Sequence, residues 1–149
     1  MKTTRFSTKY LATYGIIGLL AIWGCQIAER GNVVGASLIG SAWLAEDLEK
    51  HGVLDRAQTT LHFESQERVS GSTGCNRYSA GYKLDGNALR FGPAAATRRA
   101  CVPALMDQEQ RFTKVLEATT SYHRDGEFLR LFNDQGQELA RLIRIYPKQ

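Results

Sequence analysis

The sequence has few residues of the kinds that build metal and catalytic sites. It contains three histidines in 149 residues, His51, His62 and His123, and they do not recur at the HxxxH or HExxH spacing that places two ligands on one helix face. The segment Gly71–Gly74 lacks the Lys-Ser/Thr ending of a phosphate-binding loop. No acid–base pair stands at a defined spacing. The sequence therefore predicts no metal, no cofactor, no catalytic residue and no enzyme.

The body of the chain also lacks the basic surface of a nucleic-acid-binding protein. The formal net charge is +4 at pH 7, but three of the 19 basic residues, Lys2, Arg5 and Lys9, precede the first acidic residue. The remaining chain is almost neutral, with 16 basic against 15 acidic residues. It contains no run of basic residues interleaved with aromatic residues. We therefore expect no nucleic-acid partner.

Residues 1–24 have the pattern of a secretory signal peptide. Residues 1–10 are basic, and the apolar segment Leu11–Trp23 is shorter than the about 20 residues that a membrane-spanning helix needs. Gly24-Cys25 resembles the lipobox of bacterial lipoproteins, although Trp23 stands where that motif usually has a small residue. The resemblance implies that Cys25 is lipidated and becomes the new N-terminus, and Gln26 resembles the signal for outer-membrane sorting. Cleavage without lipid and an uncleaved inner-membrane N-terminal anchor are the alternatives.

The segment after the signal peptide has mixed composition and no clear period. It contains three glycines, Gly31, Gly35 and Gly40, and we interpret residues 25–40 as a lipidated N-terminus and a tether. The alternative is that Val33–Ile39 forms part of a first strand. The folded domain is predicted over residues 41–147.

The two other cysteines form an even pair once Cys25 is set aside for the lipid. An exported compartment permits disulfides, so we expect Cys75 and Cys101 to be bonded. Two inert thiols are the main alternative. A reactive thiol at Cys75 is disfavoured because no base and orienting group are marked for it.

Alternating apolar and polar residues predict that most of the domain is β-structure. In residues 41–48, Trp43 and Ala45 would face one side, and Leu44 and Glu46 the other. Further strands are predicted where the alternation resumes between polar turns, at residues 58–65, 68–71, 78–84, 88–91, 119–124, 128–133 and 137–146.

One helix is predicted within this β-structure. Pro103 can occupy a first helical turn, and residues 104–118 carry apolar side chains at helical spacing, at Leu105, Phe112, Val115 and Leu116. Glu109 falls on the same face. Because a sheet of this size buries its edges by curling, we predict a mainly β (α+β) fold. It is a small antiparallel, curled or half-open β-barrel of seven to eight strands with one packed α-helix.

The pattern resembles the META domain of the HslJ-like bacterial envelope proteins. The match runs from Ser41 to Arg144, and Arg99 departs from it where a methionine is common. The segments that carry the resemblance are Trp43, Gly71-Ser72-Thr73-Gly74-Cys75-Asn76-Arg77-Tyr78, Gly81-Tyr82, Leu89-Arg90-Phe91-Gly92-Pro93, Ala96-Thr97-Arg98, Ala100-Cys101, and Glu109 with Phe112 and Leu116. The resemblance implies a cracked barrel with a helix, an extracytoplasmic or outer-membrane location, often as a lipoprotein, and a link to heat shock and envelope stress. It implies no known reaction.

The glycine-rich block around Cys75, together with Glu109 of the predicted helix, is interpreted as a structural motif, formed by Gly71, Gly74, Asn76, Arg77, Tyr78 and Glu109. Asn76 would satisfy backbone groups of the turn, and Arg77 would pair with an acid. Glu109 is a candidate partner for either and is expected to be buried, because a carboxylate on an apolar helix face needs donors. The alternative is that Asn76 and Arg77 bind a ligand.

Two functions from different classes are compatible with the sequence. The first is a non-enzymatic envelope lipoprotein, bound to the membrane by its lipidated N-terminus, that acts through an unknown envelope protein partner. The second is a carrier or pilotin-like module whose barrel holds an acyl chain or an apolar peptide. A continuous apolar cavity would favour the second.

Overall fold

The computed structural model describes residues 37–146, and the predictions made for residues 1–36, including the signal peptide and Cys25, lie outside them. The described chain forms ten strands and one helix. The strands are β1 (Ala42–Leu48), β2 (His51–Gly52), β3 (Thr60–Phe63), β4 (Arg68–Ser72), β5 (Arg77–Asp85), β6 (Ala88–Phe91), β7 (Ala95–Ala96), β8 (Ser121–Asp125), β9 (Phe128–Phe132) and β10 (Glu138–Ile145), and the helix is α1 (Pro103–Ala118).

Eight of the strands close into an antiparallel barrel. Their order around the barrel is β1, β3, β4, β5, β6, β8, β9 and β10, and β10 pairs with β1 to complete the ring. The closing pair runs from Ala42 opposite Ile145 to Leu48 opposite Ala140. The seam between β6 and β8 is much shorter, with Ala88 opposite Ser121. The fold class is confirmed, and the barrel is closed, because β1 and β10 form an extended ladder.

The interior follows the alternation seen in the sequence. Trp43 and Ala45 of β1 are buried, whereas Leu44 and Glu46 are only partly covered, as predicted. The interior is filled by large side chains that are almost fully buried, namely Trp43, Phe63, Phe112, Leu38, Leu48, Leu61, Leu89, Leu129, Leu131, Leu142, Val69 and Val115. These side chains belong to one continuous hydrophobic core.

Helix α1 packs its apolar face onto the barrel. It begins at Pro103, as the sequence predicted, because the missing N–H of proline is not needed in a first turn. Phe112, Val115 and Leu116 are buried, and the Phe112 ring meets the Tyr78 ring edge-on at 5.4 Å between centroids. Among residues 37–146, no helix is both long and apolar enough to cross a membrane.

The start of the domain differs from the prediction. Leu38 is 1% exposed and belongs to the core. The Gly40 N–H donates to the Phe63 carbonyl at 2.7 Å, and Ser41 N–H donates to the Leu38 carbonyl at 3.0 Å. Residues 38–40 therefore belong to the folded domain and not to the tether, because Leu38 is buried in the core and Gly40 is hydrogen-bonded to β3. They form a turn, so the described part of Val33–Ile39 is not a strand.

Candidate structural site around the glycine-rich bend

The end of β4 and the bend that follows it require glycine at two positions, Gly71 and Gly74. Gly74 has φ +96°, a backbone conformation that residues other than glycine rarely adopt. At Gly71, an added Cβ would lie 2.1 Å from the Thr60 carbonyl oxygen, so the neighbouring backbone leaves no room for a side chain. The bend is closed by the Thr73 N–H, which donates to the Asn76 carbonyl at 2.8 Å. Both predicted glycines thus have a physical role.

Cys75 and Cys101 are joined by the expected disulfide. Their sulfur atoms are 2.03 Å apart and their Cα atoms 6.1 Å apart. Cys101 lies two residues before Pro103, where α1 begins. The bond therefore fixes the glycine-rich bend to the segment that leads into the helix.

Asn76 is the centre of the hydrogen-bond network at this bend. Its side chain is 5% exposed, and its Oδ1 accepts from Thr97 Oγ1 at 2.8 Å and from the Arg99 N–H at 2.8 Å. Its Nδ2 donates to Glu109 Oε2 at 2.9 Å and to the Arg99 carbonyl at 3.3 Å. All donors and acceptors of the amide are used within the fold, which leaves none for a ligand.

Glu109 is the partner of Asn76 and not of Arg77. Its carboxylate accepts from Asn76 Nδ2 with both oxygens, at 2.9 and 3.2 Å. Glu109 is half-buried, less covered than the sequence predicted, because it lies at the edge of the helix–barrel contact. Arg77 is exposed, and its backbone exchanges hydrogen bonds with Thr97. No ion pair of Arg77 occurs within residues 37–146, so the expected pairing with an acid is not seen there.

Gln108 is a second polar anchor of the helix, and the sequence analysis did not find it. It is buried. Its Oε1 accepts from the Leu54 N–H at 2.7 Å, and its Nε2 donates to Thr59 Oγ1 at 2.9 Å and to the Ala57 carbonyl at 3.2 Å. Two adjacent helix residues, Gln108 and Glu109, therefore attach α1 to two different segments beside the bend.

Tyr78 completes the structural motif inside the barrel. Its hydroxyl donates to the Thr60 carbonyl at 3.0 Å, and its ring packs on Phe112. Burial raises the pKa of Tyr78 far above its ordinary value of 10.0, because the ionised phenolate is poorly solvated there. Tyr78 therefore stays neutral in the folded protein and serves packing.

No reactive constellation is found in the described part of the chain. Residues 37–146 contain no group of three histidine, cysteine, aspartate or glutamate side chains that could hold a metal ion.

The interior near the start of β1 is occupied by Trp43, whose Nε1–H donates to Ser41 Oγ at 2.7 Å. The guanidinium groups of Arg124 and Arg144 lie over its ring at 5.7 and 5.9 Å. The site as a whole holds the fold together.

Comparison with protein families finds one family model that matches most of the described chain. A family model described as the META domain matches residues 36–144, which include the glycine-rich bend, both cysteines and the helix. The chain belongs to the META family. The match begins before Ser41, in agreement with the burial of Leu38 in the core. META is not a known enzyme family.

Two solved structures resemble this META protein. The NMR structure of a protein from Burkholderia xenovorans is similar with a TM-score of 0.60 and 24% sequence identity, over 72% of this chain and 83% of that chain. A second NMR structure has a TM-score of 0.56 and 24% identity, over 70% of this chain and 89% of that chain. At this identity the similarity shows the shared fold alone. No curated protein matches the chain.

Proposed function

We propose that this META protein is a non-enzymatic, HslJ-like lipoprotein of the bacterial envelope. In this proposal Cys25 carries the lipid and anchors the chain in the outer membrane, facing the periplasm. The barrel then maintains envelope integrity under stress through contacts with another envelope protein. The observation that carries the proposal is that the candidate reactive side chains are all bonded to other parts of the fold. Cys75 is in a disulfide, and Asn76 and Glu109 are hydrogen-bonded to each other.

The internal use of these groups argues against catalysis. A nucleophile needs a free thiol or hydroxyl with a base that a third group orients, and Cys75 is bonded to Cys101. An acid or base must reach the proton that it transfers, whereas the Glu109 carboxylate is held by the Asn76 amide. The arrangement supports a scaffold.

The disulfide supports export of the chain. Disulfides persist in oxidising compartments such as the bacterial periplasm and are rare in the cytosol. A bond between Cys75 and Cys101 leaves Cys25 as the single remaining cysteine. This agrees with the lipid-acceptor role that the sequence predicts for Cys25.

The packed interior does not favour the carrier alternative. Trp43, Phe63 and Phe112 are each almost fully buried in the core that the barrel and α1 share. An acyl chain would have to displace such side chains, and each large apolar side chain removed from a core costs about 3–5 kcal/mol. A ligand held inside the barrel is thus not supported.

The test of the proposal compares the native chain with Cys25→Ala in a Gram-negative host. Mass spectrometry of the native protein should show acylation at residue 25, and fractionation should place the protein with the outer membrane. Cys25→Ala should lose the acyl mass and appear in the soluble periplasmic fraction. Ser37→Ala is the control, because it changes an exposed residue that the proposal does not link to the lipid and it leaves the disulfide intact. A native protein without acyl mass would overturn the lipoprotein assignment.

A second experiment tests whether the barrel acts through protein contacts. Met106 is 50% exposed near the start of α1, so a photo-crosslinking residue at this position samples the face beside the disulfide. In heat-stressed cells we expect a discrete crosslinked adduct from position 106. The adduct should be absent when the crosslinking residue replaces Glu117, which is exposed near the other end of the helix. Equal yields at both positions would contradict a specific contact on this face.

A further inference from the structure

An open groove runs along the outside of the barrel beside β5 and β6. Its volume is ≈ 810 Å³, within the range of small-molecule sites. Its lining includes Ile39, Glu67, Lys83, Leu84, Asp85 and Arg90. We refer to it as the β5–β6 groove.

Two cations lie side by side in the lining of this groove. Lys83 of β5 lies directly opposite Arg90 of β6 in the antiparallel register, and both side chains are exposed. Like charges at directly opposite positions destabilise a strand pair. Within residues 37–146, neither cation has a carboxylate within 4.0 Å. The fold itself therefore does not neutralise this pair at close range.

The same arrangement elsewhere in the barrel is neutralised. Arg130 of β9 lies opposite Arg141 of β10, but Arg130 pairs with Glu138 at 3.1 Å and Arg141 pairs with Glu46 at 3.3 Å. Each arginine thus has its own carboxylate. Lys83 and Arg90 differ from this second pair in having no carboxylate within 4.0 Å among the described residues.

The groove also presents carboxylates and apolar side chains. Glu67 and Asp85 line it and form no ion pair within the described residues. Ile39 is 42% exposed and Leu84 40% exposed. A purely anionic ligand would be repelled by the two carboxylates. A fitting ligand has a phosphate, a positive group and an apolar part.

We propose that the β5–β6 groove binds a phospholipid with a phosphoethanolamine headgroup. The phosphate lies between Lys83 and Arg90, the ammonium group donates to Glu67 or Asp85, and the first part of an acyl chain covers Ile39 and Leu84. The inference rests on the proposed function in one respect. The proposed lipid at Cys25 would bring the domain to a membrane surface, where such a phospholipid is present.

Lipid competition measured by native mass spectrometry tests this site in the full chain. The chain is released from detergent micelles that contain equal amounts of phosphatidylethanolamine, phosphatidylglycerol and phosphatidylcholine. The native chain should be enriched in bound phosphatidylethanolamine, and Lys83→Ala/Arg90→Ala should lower that enrichment by about fivefold, the effect of one good exposed ion pair. Glu67→Gln/Asp85→Asn should shift the preference toward phosphatidylglycerol, because the repulsion of an anionic headgroup is removed.

The matched control is Arg77→Ala/Lys114→Ala, which also removes one arginine and one lysine. Both residues are exposed and neither lines the groove, so the enrichment should not change. The N-terminal segment is the same in every variant and cancels in the comparison. Unchanged binding in Lys83→Ala/Arg90→Ala, or a native chain that prefers phosphatidylglycerol or phosphatidylcholine, would overturn the proposal. Neither result would affect the acylation of Cys25, so failure of this inference is distinguishable from failure of the proposed function.

Discussion

The amide of Asn76 and the carboxylate of Glu109 form the hydrogen bond that joins the glycine-rich bend to the helix, with Nδ2 and Oε2 2.9 Å apart. The two residues are 33 positions apart in the chain. The disulfide joins the same two segments a few residues away, from Cys75 to Cys101. One covalent bond and one buried polar network therefore hold the same junction.

Asn76→Asp should destabilise the protein by at least about 3 kcal/mol at neutral pH. The change replaces the donor that faces Glu109 with a second carboxylate oxygen, and an uncompensated charge in a buried position costs this much. Urea unfolding at pH 7 measures the loss. Asn87→Asp, in the exposed turn after Gly86, is the control and should stay within about 0.5 kcal/mol of the native protein.

The reversed pair gives a sharper test of the same contact. In Asn76→Asp/Glu109→Gln the amide at position 109 can donate to the new carboxylate, so the double variant should regain part of the stability lost in the single variant. A double variant that is less stable than Asn76→Asp alone would show that the two side chains do not interact in solution.

Gln108→Leu should cost about 2–4 kcal/mol of unfolding free energy. The leucine leaves the Leu54 N–H and the Ala57 carbonyl without their partners, and each unsatisfied buried group costs about 1–3 kcal/mol. Gln110→Leu is a matched control on the same helix, because Gln110 is exposed. Equal melting temperatures for the two variants would contradict the anchoring role of Gln108.

The sequence predicted the periodic features of this fold better than its polar contacts. Alternation identified β1 through Trp43 and Ala45, and helical spacing identified the buried face of α1 through Phe112 and Leu116. Both patterns are local, and side-chain direction follows from backbone geometry alone. The sequence predicted a curled or half-open barrel and did not specify the closed ring, because the ladder between β1 and β10 joins opposite ends of the domain.

Contacts between distant polar residues carried less sequence signal. Asn76 was predicted to be structural, and Glu109 was recognised as its candidate partner because a carboxylate stood on an apolar helix face. Gln108 is an uncharged polar residue among other polar helix residues, so no pattern in the sequence marks it as buried. Its partner Thr59 is 49 positions away. Leu38 was assigned to the tether because no period surrounds it, although the folded barrel buries it.

Removal of the disulfide should lower the free energy of unfolding by about 3–4 kcal/mol, the chain-entropy value for a loop of this length. The bond closes a loop with a sequence separation of 26. Cys75→Ala/Cys101→Ala and the reduced native protein should unfold at similar, lower urea concentrations. Mass mapping without reductant should also recover the peptides of Cys75 and Cys101 as one linked species. Two thiols open to alkylation in the folded exported protein would contradict the bond.

Gly71→Ala should prevent stable folding or lower the melting temperature sharply. Its Cβ would lie 2.1 Å from a backbone oxygen of β3 and 2.8 Å from the attached carbon, so β3 or β4 would have to move. Gly52→Ala is the control, because no atom lies within 4 Å of an added Cβ there. Circular dichroism during heating compares the two variants, and similar melting curves would show that the two strands are not in close contact.

Alkaline destabilisation should depend on Tyr78. Because burial raises the pKa of its hydroxyl above the ordinary value of 10.0, the neutral form is favoured in the folded state. The corresponding stability is fully present below pH 10 and is lost as the pH rises above it, when the unfolded chain releases a proton that the folded chain keeps. Tyr78→Phe should lose about 1 kcal/mol at pH 7 with the hydrogen bond to the Thr60 carbonyl. Between pH 10 and 11.5 its stability should fall less steeply than that of the native protein, by a difference that rises to about 1.4 kcal/mol per pH unit. Urea unfolding across this range measures both slopes, and parallel slopes would mean that Tyr78 ionises equally in both states.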